Sequence, residues 1–224
     1  MKTISKKILL VLTIIVVVLS LLMAKSITAN NIEKIELEAG YDLQITEIGA
    51  YSGPYMEDGT DEDVSDVMMI TVKNNGKQAV QYGEITMTGK DGETALFKFS
   101  SLEAGQEMTV LEGTRKIYRR KDNYNVAFAS NVAYFRKNPS TYAEQLQIQP
   151  LGGGLNVINI SQHDIDGEII IYFKNLKDDR LMGGITYRGR ITDGLKAGEV
   201  KQLMSQHFTE ENTKVMFVTI NGEK

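Results

Sequence analysis

Three clusters in this 224-residue chain hold residue types that do chemistry. The first runs from Tyr51 to Asp66, where Glu57, Asp58, Asp61, Glu62, Asp63 and Asp66 follow Tyr51 and Tyr55. A calcium ion needs several oxygen ligands converging at about 2.3–2.6 Å. Asp58, Asp61 and Asp63 have the density for that, but not the EF-hand spacing, and Gly59 comes too early. The segment reads as a solvated acidic hairpin loop, and no metal is assigned. The second cluster, Arg115-Lys116-Ile117-Tyr118-Arg119-Arg120-Lys121, sets one aromatic ring among cations. Its guanidinium forks suit a phosphate, a teichoic-acid segment or an acidic protein. They would equally pair with the acidic loop, in the same chain or a neighbouring copy. The third is the histidine pair, His163 and His207. Zinc needs three or four closely spaced ligands, and neither histidine has them nearby, so both read as surface or turn residues.

Catalytic signatures are missing elsewhere. No Gly-x-Ser-x-Gly elbow is present. Gly152-Gly153-Gly154 leads into the strand-like run Leu155 to Ile160, whereas a phosphate loop must open a helix bearing Lys and Ser or Thr. Nothing among the 29 acids selects a carboxylate pair for glycoside cleavage. No catalytic or cofactor-binding residue is assigned, no cofactor is expected, and the chain reads as a non-enzyme. A small-molecule substrate is not expected either. All the acids, and all but three of the 25 basic residues, lie beyond Ala24. That part is therefore acidic, which argues against general nucleic-acid binding.

The elements that must position these residues read as strands. Ile85 and Met87, Ile185 and Tyr187, and Phe97 and Phe99 alternate with polar neighbours, one face buried and one wet. Met68 to Val72 and Ile169 to Phe173 are nearly continuous apolar runs, the pattern of a strand covered on both sides. Turn signals separate them at Asn74-Asn75-Gly76-Lys77, Lys90-Asp91-Gly92, Ala104-Gly105 and Ala197-Gly198. Similar peptides recur in the same order at a spacing of roughly 100 residues. Ile70–Asn74 matches Ile171–Asn175, Gly83–Met87 matches Gly183–Tyr187, Leu102–Gln106 matches Leu195–Glu199, and Val126–Phe128 matches Val215–Phe217. A duplicated all-β architecture follows, two tandem β-sandwich domains at about 33–137 and 142–224, joined through Asn138-Pro139-Ser140-Thr141. With no cysteine, each must be held by its own apolar core.

Ahead of them, Ile8 to Ala24 is uncharged and follows Lys2, Lys6 and Lys7. As a helix it would measure roughly 25 Å at about 1.5 Å per residue, close to the roughly 30 Å hydrocarbon core. Residues 1–30 therefore read as an N-terminal signal-anchor or transmembrane helix with a short stalk. The lysine bias places the N-terminus in the cytoplasm and the rest outside the cell membrane. Cleavage after Ser26, in Ala24-Lys25-Ser26, is the secreted alternative.

The strand, Lys-Asn turn, strand, Leu-x-Ala-Gly order resembles the immunoglobulin-like modules of extracytoplasmic Gram-positive proteins. The whole chain resembles small Firmicutes proteins with one anchor and two such modules. In that resemblance Tyr51–Gly59 and Gly183–Arg190 are the distinctive stretches. It implies a fold, not an activity. The expected role is a membrane-tethered protein that contacts a protein partner at the cell surface or acts as a spacer. Tyr51, Tyr55, Tyr118, Arg119 and Arg120 are the candidate contacts, being the residue types that most often anchor interfaces. The alternatives are a wall-polymer or carbohydrate-binding protein, which the absence of Trp disfavours, and a secreted enzyme.

Overall fold

The computed structural model describes residues 32–221 except 206 and 210. The expected N-terminal helix lies outside the described residues. Among those described, no helix is long and apolar enough to cross a membrane.

The chain folds into antiparallel sheets, as alternation and turn spacing predict. The first strands are β1 (Ile32–Gly40), β2 (Leu43–Pro54), β3 (Asp63–Asn74), β4 (Val80–Thr88), β5 (Thr94–Leu102), β6 (Glu107–Leu111) and β7 (Val126–Tyr134). They form the sheets β1-β2-β3-β6 and β5-β4-β7. Leu43, Ile45, Met68, Ile70, Val72 and Val110 meet Ile85, Met87, Phe97, Phe99 and Ala129 between these sheets. The later strands are β8 (Leu146–Leu151), β9 (Gly154–Asn159), β10 (Glu168–Lys177), β11 (Arg180–Leu181), β12 (Tyr187–Ile191), β13 (Val200–Met204) and β14 (Thr213–Asn221). They form β8-β9-β13, and a sheet in which β10 pairs with β11, β12 and β14. Leu155, Val157, Ile169, Ile171, Phe173 and Val218 fill the second core. The whole is β-sandwich-like.

The same pairings occur twice. Strands β2-β3-β6 and β5-β4-β7 correspond to β8-β9-β13 and β12-β10-β14. One asparagine locks each copy. Asn74 is fully buried, and its Nδ2 donates to Gln78 O (3.0 Å) and Leu102 O (3.3 Å). Its own N–H donates to Gln106 O at 3.0 Å, and Gly105 N donates back to its carbonyl at 2.7 Å. Asn159 does the same with His163 O (2.8 Å) and Leu195 O (2.9 Å), while its N–H donates to Glu199 O at 3.0 Å and Gly198 N donates to it at 2.9 Å.

The structural equivalences differ from the peptide matches in two places. The counterpart of Asn74 is Asn159, not Asn175, because Asn175 lies on β10, which takes the place of β4. Gly183–Tyr187 leads into the counterpart of β5, not of β4. The matches at Leu102 and Leu195, and at Val126 and Val215, fall on equivalent elements.

The connector is stitched down on both sides. Asn138 Oδ1 accepts from Ala79 N at 2.8 Å, and Ser140 O accepts from Val218 N at 2.8 Å.

Candidate functional site

The distinctive stretches Tyr51–Gly59 and Gly183–Arg190 meet in the folded chain, along a seam between the two strand sets. Period-two alternation builds it. On β10, Ile169, Ile171 and Phe173 enter the second core, while Tyr172 and Leu176 pack against the first. On β3, Met68, Ile70 and Val72 face the first core. Val67 and Met69 face the other way and are roofed by Tyr51, Tyr55, Met56 and Met182. The two nearly continuous apolar runs are thus covered on both sides, and part of each cover comes from the other half of the chain.

Backbone bonds cross the seam. Gly183 N donates to Thr109 O at 2.6 Å, and Ile185 N donates to Met56 O at 3.2 Å. Gly184 lies so close to Met56 that a Cβ there would run into the Met56 carbonyl. Aromatic stacking extends the contact, with Phe217 4.3 Å from Tyr172 and 5.3 Å from Phe135 between ring centroids.

Two ionisable groups sit inside. Lys174 is fully buried, and its Nζ donates to Gly183 O and to Gly184 O, the latter at 2.7 Å. Burial pulls its pKa down to about 8, against the pull of Glu57's charge. Burial pushes the Glu57 carboxyl up to about 7, although it accepts from Leu111 N at 2.9 Å and faces the field of Lys174. Lys174 thus holds the turn before β12, and Glu57 ties the acidic loop to the end of β6.

Beside the seam opens a cleft of about 400 Å³, lined by Met56 and Asp61 from one half and Asn175, Lys177, Asp178 and His207 from the other. His207 stacks on Tyr187, ring centroids 4.4 Å apart, with its Nδ1 3.8 Å from Asp61 Oδ2. Among the described residues no nucleophile is hydrogen-bonded to either group, and the polar lining suits a polar ligand.

The expected contact residues divide. Tyr51 and Tyr55 are buried and support the loop from within. Tyr51 Oη donates to Pro54 O at 2.8 Å and Tyr55 Oη to Glu112 O at 2.9 Å, and burial pushes both phenols up to about 12. The loop's carboxylates are not simply solvated either. Asp58 and Glu62 grip Arg115 at 2.9 and 2.7 Å, while the guanidinium stacks 4.7 Å from the Tyr55 ring centroid. The pairing of the basic cluster with the acidic loop of its own chain therefore holds at Arg115. Glu112 shapes that corner, its buried carboxylate accepting from Thr114 N (2.7 Å), Thr114 Oγ1 (2.9 Å) and Lys116 N (2.9 Å).

Tyr118, Arg119 and Arg120 follow the segment that pairs with the start of β3, where Ile117 bridges Val67 and Tyr118 N donates to Asp66 O at 2.8 Å. Tyr118 is half-buried and Arg120 pairs with Glu33 at 2.6 Å. Arg119 and Lys121 are exposed and make no ion pair among the described residues, and Ile117 is exposed beside them. Sequence reasoning missed Lys174 and Asn159. The signal for Lys174 was its parity with Tyr172 on a strand expected to be covered on both faces.

In comparisons with family models, curated proteins and solved structures, nothing matches this chain.

Proposed function

We propose that the chain is a non-enzymatic, membrane-tethered protein whose two immunoglobulin-like modules, at about 33–137 and 142–224, stand outside the cell membrane and hold a protein partner. The crossed pairing of β3 with β6 and of β4 with β7, repeated as β9 with β13 and β10 with β14, supports the immunoglobulin-like reading. The observation that carries the functional reading is the seam. Main-chain bonds from Gly183 and Ile185, the Arg180–Glu47 pair and the packing of Met182 with Tyr51 and Tyr55 fasten one half to the other, which is what a spacer that presents a partner at a set angle requires. The outward chemistry left over is the basic stretch, where exposed Arg119, Arg120 and Lys121 follow exposed Ile117 and half-buried Tyr118. Exposed apolar and arginine side chains close together in the chain are the composition of an interface anchor.

The test is capture from cell envelopes with residues 33–224 at several salt concentrations. A partner retained by the parent and lost in the Arg119→Glu, Arg120→Glu double variant is the expected result; no specific partner counts against it. The unpaired Arg119 and Lys121 also favour the wall-polymer reading, which a sedimentation assay with purified walls separates. Fractionation with N-terminal sequencing decides between an anchored and a secreted protein.

A further inference from the structure

One place is filled in the first copy and, among the described residues, open in the second. In the first copy β1 lies along the outer edge of β2, with Leu37 opposite Ile45 and Gly40 opposite Leu43. Ile35 and Leu37 of β1 pack on the core there, and Leu43 and Ile45 are fully buried. In the second copy the strand equivalent to β2 is β8. Leu43 pairs with Asn74 and Leu146 with Asn159; Ile45 pairs with Val72 and Ile148 with Val157. The residues coincide as well, Leu43-Gln44-Ile45 against Leu146-Gln147-Ile148. Yet among the described residues β8 has no strand on its outer edge.

The stretch that would supply one is the connector, which crosses instead to β14 through Ser140 and Val218. It leaves a groove of about 550 Å³ lined by Thr141, Ala143, Leu146, Ile148, Ile160 and Val215. Ile148 is only partly buried, Ile160 is 46% exposed and Leu151 is 42% exposed. Ile160 N donates to Gln145 O, so the period-two ladder directs the backbone of Gln147 toward β9 and that of Ile148 toward the open side. Pro150, with no N–H, ends the usable edge.

We infer that this groove is a docking site for an extended segment of a partner protein, one that alternates apolar and polar residues as β1 does and adds to β8 as a new edge strand. Main-chain bonds to Ile148 would set its register, and its apolar side chains would fill the space between Ile148, Ile160 and Val215. The site is on the second copy, whereas the basic stretch belongs to the first, and it does not rest on the cell-surface role.

The probe is a synthetic peptide of residues 32–40, the sequence that fills the equivalent place. Hydrogen–deuterium exchange of the full chain with this peptide should show protection at 141–149 and 213–216. Ile148→Lys should weaken binding at least roughly tenfold, the scale of losing one buried apolar contact, with Ile148→Val close to the parent. A scrambled peptide without alternation should give no protection. No protection at 141–149, protection confined to β2, or equal protection by the scrambled peptide would overturn the inference. Self-association removed by Ile148→Lys, with no peptide effect, would overturn it in favour of a second copy.

Discussion

Gly184 and Glu57 carry the seam's chemistry most sharply. At Gly184 the Met56 carbonyl occupies the space a side chain would need, and backbone gives way less readily than a side chain. Gly184→Ala should therefore destabilise the protein by about 1–3 kcal/mol, the usual cost of overpacking, read from urea unfolding. An unchanged midpoint would show that the seam is looser than described. Glu57 gives a pH dependence of definite sign. Its pKa rises from 4.5 to about 7 on folding. Its contribution to stability is then fully present below 4.5 and is lost as pH climbs through about 7. Lys174 runs the opposite way, from 10.5 to about 8, so its contribution is present above 10.5 and is lost as pH falls through about 8. Melting curves of Glu57→Gln and the parent should diverge in favour of the variant as pH rises from about 5 to about 7.5. A constant difference across that range would mean that the carboxylate is no more buried in the fold than in the unfolded chain.

Elements are held by a clamp used twice. Asn74 and Asn159 each tie the end of one strand to the turn that follows it and to the loop that enters the partner strand. Replacing either by Ala strands buried carbonyls and should cost about 2–3 kcal/mol. Exchange should speed up locally, around Gln78 and Leu102–Gln106 for Asn74→Ala, and around Ser161–Ile165 and Leu195–Glu199 for Asn159→Ala. Changes in the opposite copy alone would contradict the assignment.

This level also shows what could be read from residues alone. Alternation and Gly or Asn turns were enough for the strands, because a half-buried strand advertises its period. The register of the repeat was not. Matching Lys73-Asn74 with Lys174-Asn175 compared side-chain types, whereas equivalence lies in the bonds, and Asn159 is followed by Ile160-Ser161 rather than by Asn-Gly. Leu146-Gln147-Ile148 was the better marker of register, a short identity lying outside the strand–turn pattern used for the match. The fate of Tyr51 and Tyr55 was hidden for another reason. A tyrosine is equally at home at an interface and under a loop, and only the fold supplies the Pro54 and Glu112 carbonyls that settle it.

At the scale of the molecule, the acidic loop of one half and the Gly183-Gly184 turn of the other grip each other around a buried ammonium. The connector, pinned at Asn138 and Ser140, adds no slack. The two halves should then move as one body, with the cleft beside His207 keeping its width. The chain has no cysteine, so paired spin labels can be placed cleanly at the exposed positions Asp91 and Lys196, one on each half. Pulsed dipolar spectroscopy should return a single narrow distance distribution in the parent that broadens in Gly184→Leu. A broad or multiple distribution in the parent would contradict the fastened seam, and with it the proposal of a spacer that presents its partner at a set angle.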